Sequence, residues 1–181
     1  MGSLIVKDNA LIEASHKLNE VEQRLILLAI LKAREFCDDI EKLKDKELII
    51  HASDYVSAFE VDSDTGYKSL KKAVLGLFEQ KWGYRIENKK GNIEIAYERF
   101  IQSAKYIEDE GMVKFMFANA IIPMLVELER NFTSYEISQV ANLESRYAMR
   151  LFECLIRFKS SKTLEISLDE LRFRFGLLNT E

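Results

Sequence analysis

This sequence predicts an α+β fold of the winged-helix kind. Three observations carry that expectation: a helix apolar on every side, a short helix and an amphipathic helix joined by a tight polar turn, and strands that follow directly. The 181 residues suffice for one domain, or for one domain and part of another. Hydrophobic residues make up 48% and aromatic residues 10%, enough for a packed core and far from a disordered composition.

The apolar helix is expected from Glu20 to Phe36. Asn19 is placed to cap it, and Glu22, three residues on, to close a capping box. Leu25 to Leu31 contains no polar residue, and a helix apolar all round is a buried one, so this is the expected central helix. The charged stretch from Asp38 to Glu47 reads as an exposed connection, and Glu47 to His51 as a short β-branched strand. Ser53 is placed to cap a short helix through Phe59. After the turn Glu60-Val61-Asp62-Ser63-Asp64 a longer helix is expected to about Gln80. Tyr67, Leu70, Val74, Leu77 and Phe78 fall on one face of it, and Lys68, Lys71 and Lys72 on another. The pair is a helix-turn-helix candidate.

Tyr84 to Ile86 and Ile93 to Tyr97 read as strands joined by Asn88-Lys89-Lys90-Gly91, and this hairpin is the expected wing. The second strand continues to about Ile107, with a phase change near Arg99-Phe100 that suggests a bulge. A turn at Asp109-Glu110-Gly111 leads into Met112 to Phe117, where Val113, Phe115 and Phe117 alternate with Lys114 and Met116. A helix from Asn119 would carry Ile121, Ile122, Leu125 and Leu128, with Pro123 tolerated in its first turn. The pattern pauses at Phe132-Thr133-Ser134-Tyr135. It restarts as a strong helix from Leu143 to Phe158, with Tyr147, Leu151, Leu155 and Phe158 in register. Leu164 to Ile166 reads as a brief strand, and a short helix starting at Ser167 or Asp169 runs through Phe175, with Gly176 ending it.

The formal charge of −4 leaves any DNA-binding surface as a minority face on an acidic body. Met1 to Ala141 holds 19 Lys and Arg against 24 Asp and Glu, and the remainder 7 against 6. Cys37 and Cys154 have no CxxC spacing and read as buried free thiols, which suits a reducing, cytoplasmic setting. With no signal peptide and no apolar run of about 18 residues, neither secretion nor membrane spanning is expected. His16 and His51 are the only histidines, and neither has metal-ligand neighbours, so no metal and no cofactor are expected. Gly66 and Gly76 stand isolated in a helical pattern and form no phosphate loop. No catalytic residue can be assigned, and the expectation is a protein that is not an enzyme.

The candidate DNA contacts are Lys68, Lys71 and Lys72 on the second helix of the helix-turn-helix, Arg85 on the hairpin, and Lys89 and Lys90 at its tip. By spacing alone, the wet side of a helix is the commoner fate of such a stripe, and a solvated tip that of the hairpin lysines. Arg146 and Arg150, four apart on the later helix, either contact phosphate or brace a domain junction. Val113, Phe115 and Phe117 are either ordinary sheet core or an apolar dimerisation edge.

Several runs resemble one family. Asn9-Ala10-Leu11-Ile12-Glu13-Ala14-Ser15, followed by Glu22-Gln23-Arg24-Leu25-Ile26-Leu27-Leu28-Ala29-Ile30, is similar to the opening of the iteron-binding plasmid replication initiators. So are Ile122-Pro123 and Phe132-Thr133-Ser134-Tyr135. Ser145-Arg146-Tyr147-Ala148-Met149-Arg150-Leu151-Phe152-Glu153 resembles the family's most recognisable run, with Phe152 where Tyr is usual. The resemblance implies two tandem winged-helix domains. The first dimerises and touches the DNA backbone; the second reads the origin repeats. Residues 4–141 would be the first domain and 142–181 the incomplete opening of the second, ending at Asn179-Thr180-Glu181 before its recognition helix and wing. The implied partners are double-stranded DNA of plasmid origin repeats, a second copy of the chain and host replication proteins, with no membrane. The alternative is a winged-helix interaction and dimerisation module, or a repressor, without useful DNA affinity of its own.

Overall fold

The chain begins with β1 (Leu4–Asp8), a short helix α1 (Asn9–Glu13) and a two-residue strand β2 (Ser15–His16). The computed structural model describes residues 3–36, 40–126 and 131–177. The long helix α2 (Glu20–Phe36) follows, and Leu25 to Leu31 are all buried in it, as its unbroken apolar run requires. Its start is the expected capping box. The Asn19 side chain accepts from the Glu22 N–H at 3.0 Å, and the Glu22 carboxylate accepts from the Asn19 N–H at 2.8 Å.

A short helix α3 (Ile40–Leu43) lies within the connection that the charge pattern leaves exposed, and it buries Leu43. Then come β3 (Leu48–His51), α4 (Ala52–Phe59) and α5 (Ser63–Glu79). The cap of α4 falls at His51, ahead of Ser53: the His51 N–H donates to the Asp54 carboxylate at 3.2 Å. Four strands follow, β4 (Lys81–Glu87), β5 (Ile93–Arg99), β6 (Ile101–Ile107) and β7 (Met112–Phe117). The expected break near Arg99-Phe100 separates β5 from β6, and a register shift lies just beyond it, between Ile101 and Ser103.

The pairing revises the expected wing. In the sheet ordered β3-β7-β6, the strand that precedes the helix-turn-helix pairs with the last of these four strands. The hairpin that completes this winged-helix sheet is therefore β6–β7, whose turn is Glu108-Asp109-Glu110-Gly111. The β4–β5 hairpin, the expected wing, belongs to a separate sheet ordered β2-β4-β5. Strand runs in a sequence carry no statement of which strand each will pair with, and the partner of β3 lies far along the chain.

Where a helix was expected from Asn119, the described residues hold only a 3₁₀ turn at Ile122–Met124, with Pro123 at its start. Leu128, Cys37 and Asn179 to Glu181 lie outside the described residues. The pause at Phe132 to Tyr135 is a strand, β8 (Phe132–Glu136), paired antiparallel with β1. After a short helix α6 (Ser138–Ala141) come α7 (Arg146–Ile156) and α8 (Leu168–Arg174). Ser145 caps α7 and Ser167 caps α8. Leu164 to Ile166 is not a strand.

Helix α7 is turned opposite to its apolar register. Tyr147, Leu151 and Leu155 are exposed, and Met149, Arg150, Glu153 and Cys154 are buried. Glu153 and the terminal nitrogens of Arg150 find partners there, in one another and in the backbone around them. The outward apolar stripe is left uncovered by the described residues, together with Leu168 and Leu177.

Candidate nucleic-acid interface

The helix-turn-helix is set by three local devices. Glu60 ends α4 in the left-handed region at φ 53°. Asp62 then caps α5, its carboxylate accepting from the Thr65 N–H at 2.9 Å. Gly66 allows the two helices to approach: a Cβ built there would fall inside the van der Waals radius of Val56 Cγ2. A mid-helix glycine costs about 1 kcal/mol against alanine, whereas forcing an extra methyl into a closed contact costs about 1–3 kcal/mol. Val56 is β-branched and has little rotamer freedom in a helix, so the second term wins. Gly66→Ala should destabilise the fold in chemical denaturation, and a stabilised variant would mean that the two helices simply part.

Helix α5 buries Leu70, Ala73, Val74 and Leu77 against the core. Phe78, expected on that face, is exposed, as is Leu75. Lys68 and Lys72 stand on the outer face, open to solvent. Lys71 does not. Its ammonium lies 3.1 Å from the Glu108 carboxylate and 4.8 Å from the centre of the Tyr106 ring.

Lys89 and Lys90 are exposed at the end of the β4–β5 hairpin. The loop beneath them is preorganised by Asn88, whose side-chain oxygen accepts from the N–H groups of Lys90 at 2.9 Å and Asn92 at 3.1 Å. Gly91, at φ 79°, takes the left-handed turn position. Arg85 is engaged elsewhere: it is ion-paired with Glu170 and stacked 3.9 Å over Phe173 of α8. Arg85 is thus a tie between the hairpin and α8 while its side chain stays exposed.

The two arginines of α7 part company. Arg146 lies at the surface near Tyr147, 4.5 Å over its ring, and donates to the Lys17 carbonyl at 3.4 Å. Arg150 is 3% exposed. It donates to the carbonyls of Ile12 at 2.8 Å, Ala14 at 2.9 Å and Arg174 at 3.3 Å, and pairs with Glu153 at 3.1 Å. Of the two roles open to it, the buried brace is the one its surroundings allow, and phosphate contact is not. Glu153 also holds Lys7 of β1 and accepts from the Tyr135 hydroxyl at 2.7 Å. Burial pushes the Glu153 carboxyl up, but Lys7 and Arg150 beside it outweigh that and hold it below the usual range.

Val113, Phe115 and Phe117 are 0–1% exposed, and β7 is the middle strand of its sheet. They are core, and their reading as a dimer seam is corrected on both counts: neither their side chains nor their strand edge is free. The apolar surface that is open lies instead on β5, at Ile93, Ile95 and Tyr97, and β5 ends its sheet with no further strand paired to it among the described residues. Two more cations sit at the base of this hairpin. Lys81 lies 4.4 Å over the Tyr97 ring, and Arg99 donates to the Phe78 carbonyl at 2.6 Å. The period-two spacing of Ile93, Ile95 and Tyr97, with Glu94, Ala96 and Glu98 at the alternate positions, was the available sign of a one-sided surface.

Among the described residues, no cluster of three or more His, Cys, Asp or Glu could hold a metal ion, and no helix is long and apolar enough to cross a membrane.

A replication initiation protein from Escherichia coli is 27% identical over 185 residues, covering 99% of this chain and 56% of that protein. The chain thus spans about half the length of that relative. The crystal structure of the Pi initiator protein in complex with iteron DNA superposes with a TM-score of 0.72 at 19% identity, covering 96% of this chain and 72% of that one. At that identity the likeness speaks to the fold, which is that of a winged-helix initiator. The WH1 domain of MSBI1.176, a replication protein isolated from a multiple sclerosis patient, is 36% identical, with a TM-score of 0.48, over 60% of this chain and 79% of that one. Residues 4–156 match the family described as initiator replication protein, WH1, and the chain belongs to that family.

Proposed function

We propose that this chain is the leading part of a plasmid replication initiator, which binds double-stranded DNA chiefly through phosphate contacts and pairs with a second copy of itself in the cytoplasm. The observation that carries the DNA reading is the pair of open cationic positions on elements of defined geometry: Lys68 and Lys72 on the outer face of α5, and Lys89 and Lys90 on the preorganised hairpin tip. Lysines of this kind anchor phosphates and carry little base information. The DNA partner would be the plasmid's origin repeats, and host replication proteins would be recruited to the complex.

Residues 4–141 are read as the first winged-helix domain and 142–181 as the opening of a second. The uncovered stripe Tyr147, Leu151 and Leu155 supports this division, because further elements of a second domain would cover it.

The test is a salt titration against origin-repeat and random DNA. Changing Lys68, Lys72, Lys89 and Lys90 to alanine should weaken binding to both alike and flatten the slope of log affinity on log salt by about 0.9 for each phosphate anchor removed. Unchanged affinity would favour the second reading, an interaction module without useful DNA affinity, which the acidic turn beside α5 also supports.

For self-association we infer a seam along the free edge of β5. A long strand edge with Ile93 (63% exposed), Ile95 and Tyr97 beside it is a surface that another β-edge completes. Ile93→Lys with Ile95→Lys should give monomer in sedimentation at concentrations on the order of tens of micromolar, where the parent chain is dimeric. A parent chain that is itself monomeric there would sink the seam.

A further inference from the structure

We propose that the β6–β7 turn is a built-in competitor for DNA: Glu108 occupies on Lys71 the place of a backbone phosphate, and so holds the central cation of α5 out of the interface. This rests on the DNA reading above and adds an internal control to it.

The turn is laid against α5 by contacts that do not depend on charge. The Tyr67 hydroxyl donates to the Glu108 carbonyl, and the Tyr67 ring meets Tyr106 edge-on at 5.7 Å. Gly111, at φ 58°, passes so close that a Cβ there would be 3.0 Å from Tyr67 Cε2. These contacts bring the Glu108 carboxylate to 3.1 Å from Lys71 Nζ, and the same ammonium lies over the Tyr106 ring. Asp109 and Glu110 stand exposed beside it. A winged helix that meets DNA with this helix and this hairpin would bring three carboxylates toward the phosphates.

The mask is a light one. Both partners are substantially exposed, with side chains 45% and 73% accessible, and an ion pair of that kind is readily displaced. A polyanion at high local concentration can take Lys71 from Glu108, whereas a single weak phosphate contact cannot. The turn thus sets a threshold: binding strong enough to anchor elsewhere, at Lys68, Lys72 or the hairpin tip, recruits Lys71 as well.

The experiment is a double-mutant cycle on the intact chain, read by DNA affinity across a salt series. Glu108→Gln keeps the backbone carbonyl that Tyr67 holds, so the turn should stay in place. It should raise affinity by up to about fivefold at low salt, because binding no longer has to displace an exposed ion pair. In a Lys71→Ala background the same change should give little gain. Asp109→Asn with Glu110→Gln, which removes two charges that do not touch Lys71, should give a smaller gain that Lys71→Ala leaves intact. A gain from Glu108→Gln that survives Lys71→Ala would overturn the proposal in favour of general repulsion, as would no gain in a parent chain that binds DNA. If neither the parent nor any variant binds DNA, the underlying DNA reading falls and takes the mask with it.

Discussion

Replacing Leu28 by alanine should cost about 2–5 kcal/mol of folding stability. Leu28 is completely buried at the middle of α2, and the helix packs on α4, α5, α7, β1 and β3, so there is no open side toward which the surrounding structure can relax. The consequence should go beyond reduced stability. Leu25 to Leu31 has no charge and no proline, and once exposed such a segment associates with its like. Leu28→Ala should therefore aggregate under mild destabilisation, without accumulating as a soluble unfolded chain. Leu28→Lys should unfold as well but remain more soluble, because it places a charge inside the segment. Urea denaturation gives the first quantity and light scattering the second. Equal aggregation by both variants would move the blame to another segment, with Val113 to Phe117 the next candidate.

The same helix shows what a sequence makes legible. An unbroken apolar run has one stable location, so α2, its capping box and its central position could be read directly. Helix α5 could be read too, because Leu70, Val74 and Leu77 repeat at helical spacing. What could not be read were places where polar groups are buried together. Lys7 looks like a surface residue, yet it is buried in β1 and paired with Glu153 of α7. Thr133 breaks the apolar alternation of its strand, yet it is buried with its hydroxyl 2.6 Å from the Asn9 side chain. With Lys7 and Thr133 in its two strands, the β1–β8 sheet leaves almost no hydrophobic pattern. On α7 the polar positions Arg150 and Glu153 turn inward and the leucines outward, opposite to what periodicity alone implies. The candidate DNA site divides in the same way. Lys68, Lys72, Lys89 and Lys90 sit where a local pattern put them, and Arg85, Arg150 and Lys71 are claimed by partners that only the folded chain brings near.

Removing Glu153 should be the most damaging single change in that buried network. Its carboxylate stands between two buried cations, Lys7 and Arg150, and Glu153→Ala would leave both without their counter-charge. Breaking a buried pair from one side costs about 3–5 kcal/mol. The opposite change should be far milder. Burial already pushes the Lys7 ammonium down, with Glu153 acting against this, so Lys7→Met removes a poorly solvated charge and leaves Glu153 paired with Arg150. Acid should act in two stages. His16 is held well below its ordinary value of 6.5, first by burial and then by Arg150, Lys7 and Arg146. Its contribution is complete above that value and is lost as pH falls below it, where the unfolded chain takes up the proton first. Glu153, held below its ordinary 4.5, adds a second loss as pH falls through its own lower folded value. Glu153→Gln should start less stable at neutral pH and lack the second stage while keeping the first. Denaturation of the three variants at a series of pH values measures all of this. A Glu153→Ala cost under about 1 kcal/mol, or a Lys7→Met cost equal to it, would mean that water reaches these groups and that the network is not the brace joining β1 and α1 to α7 and α8.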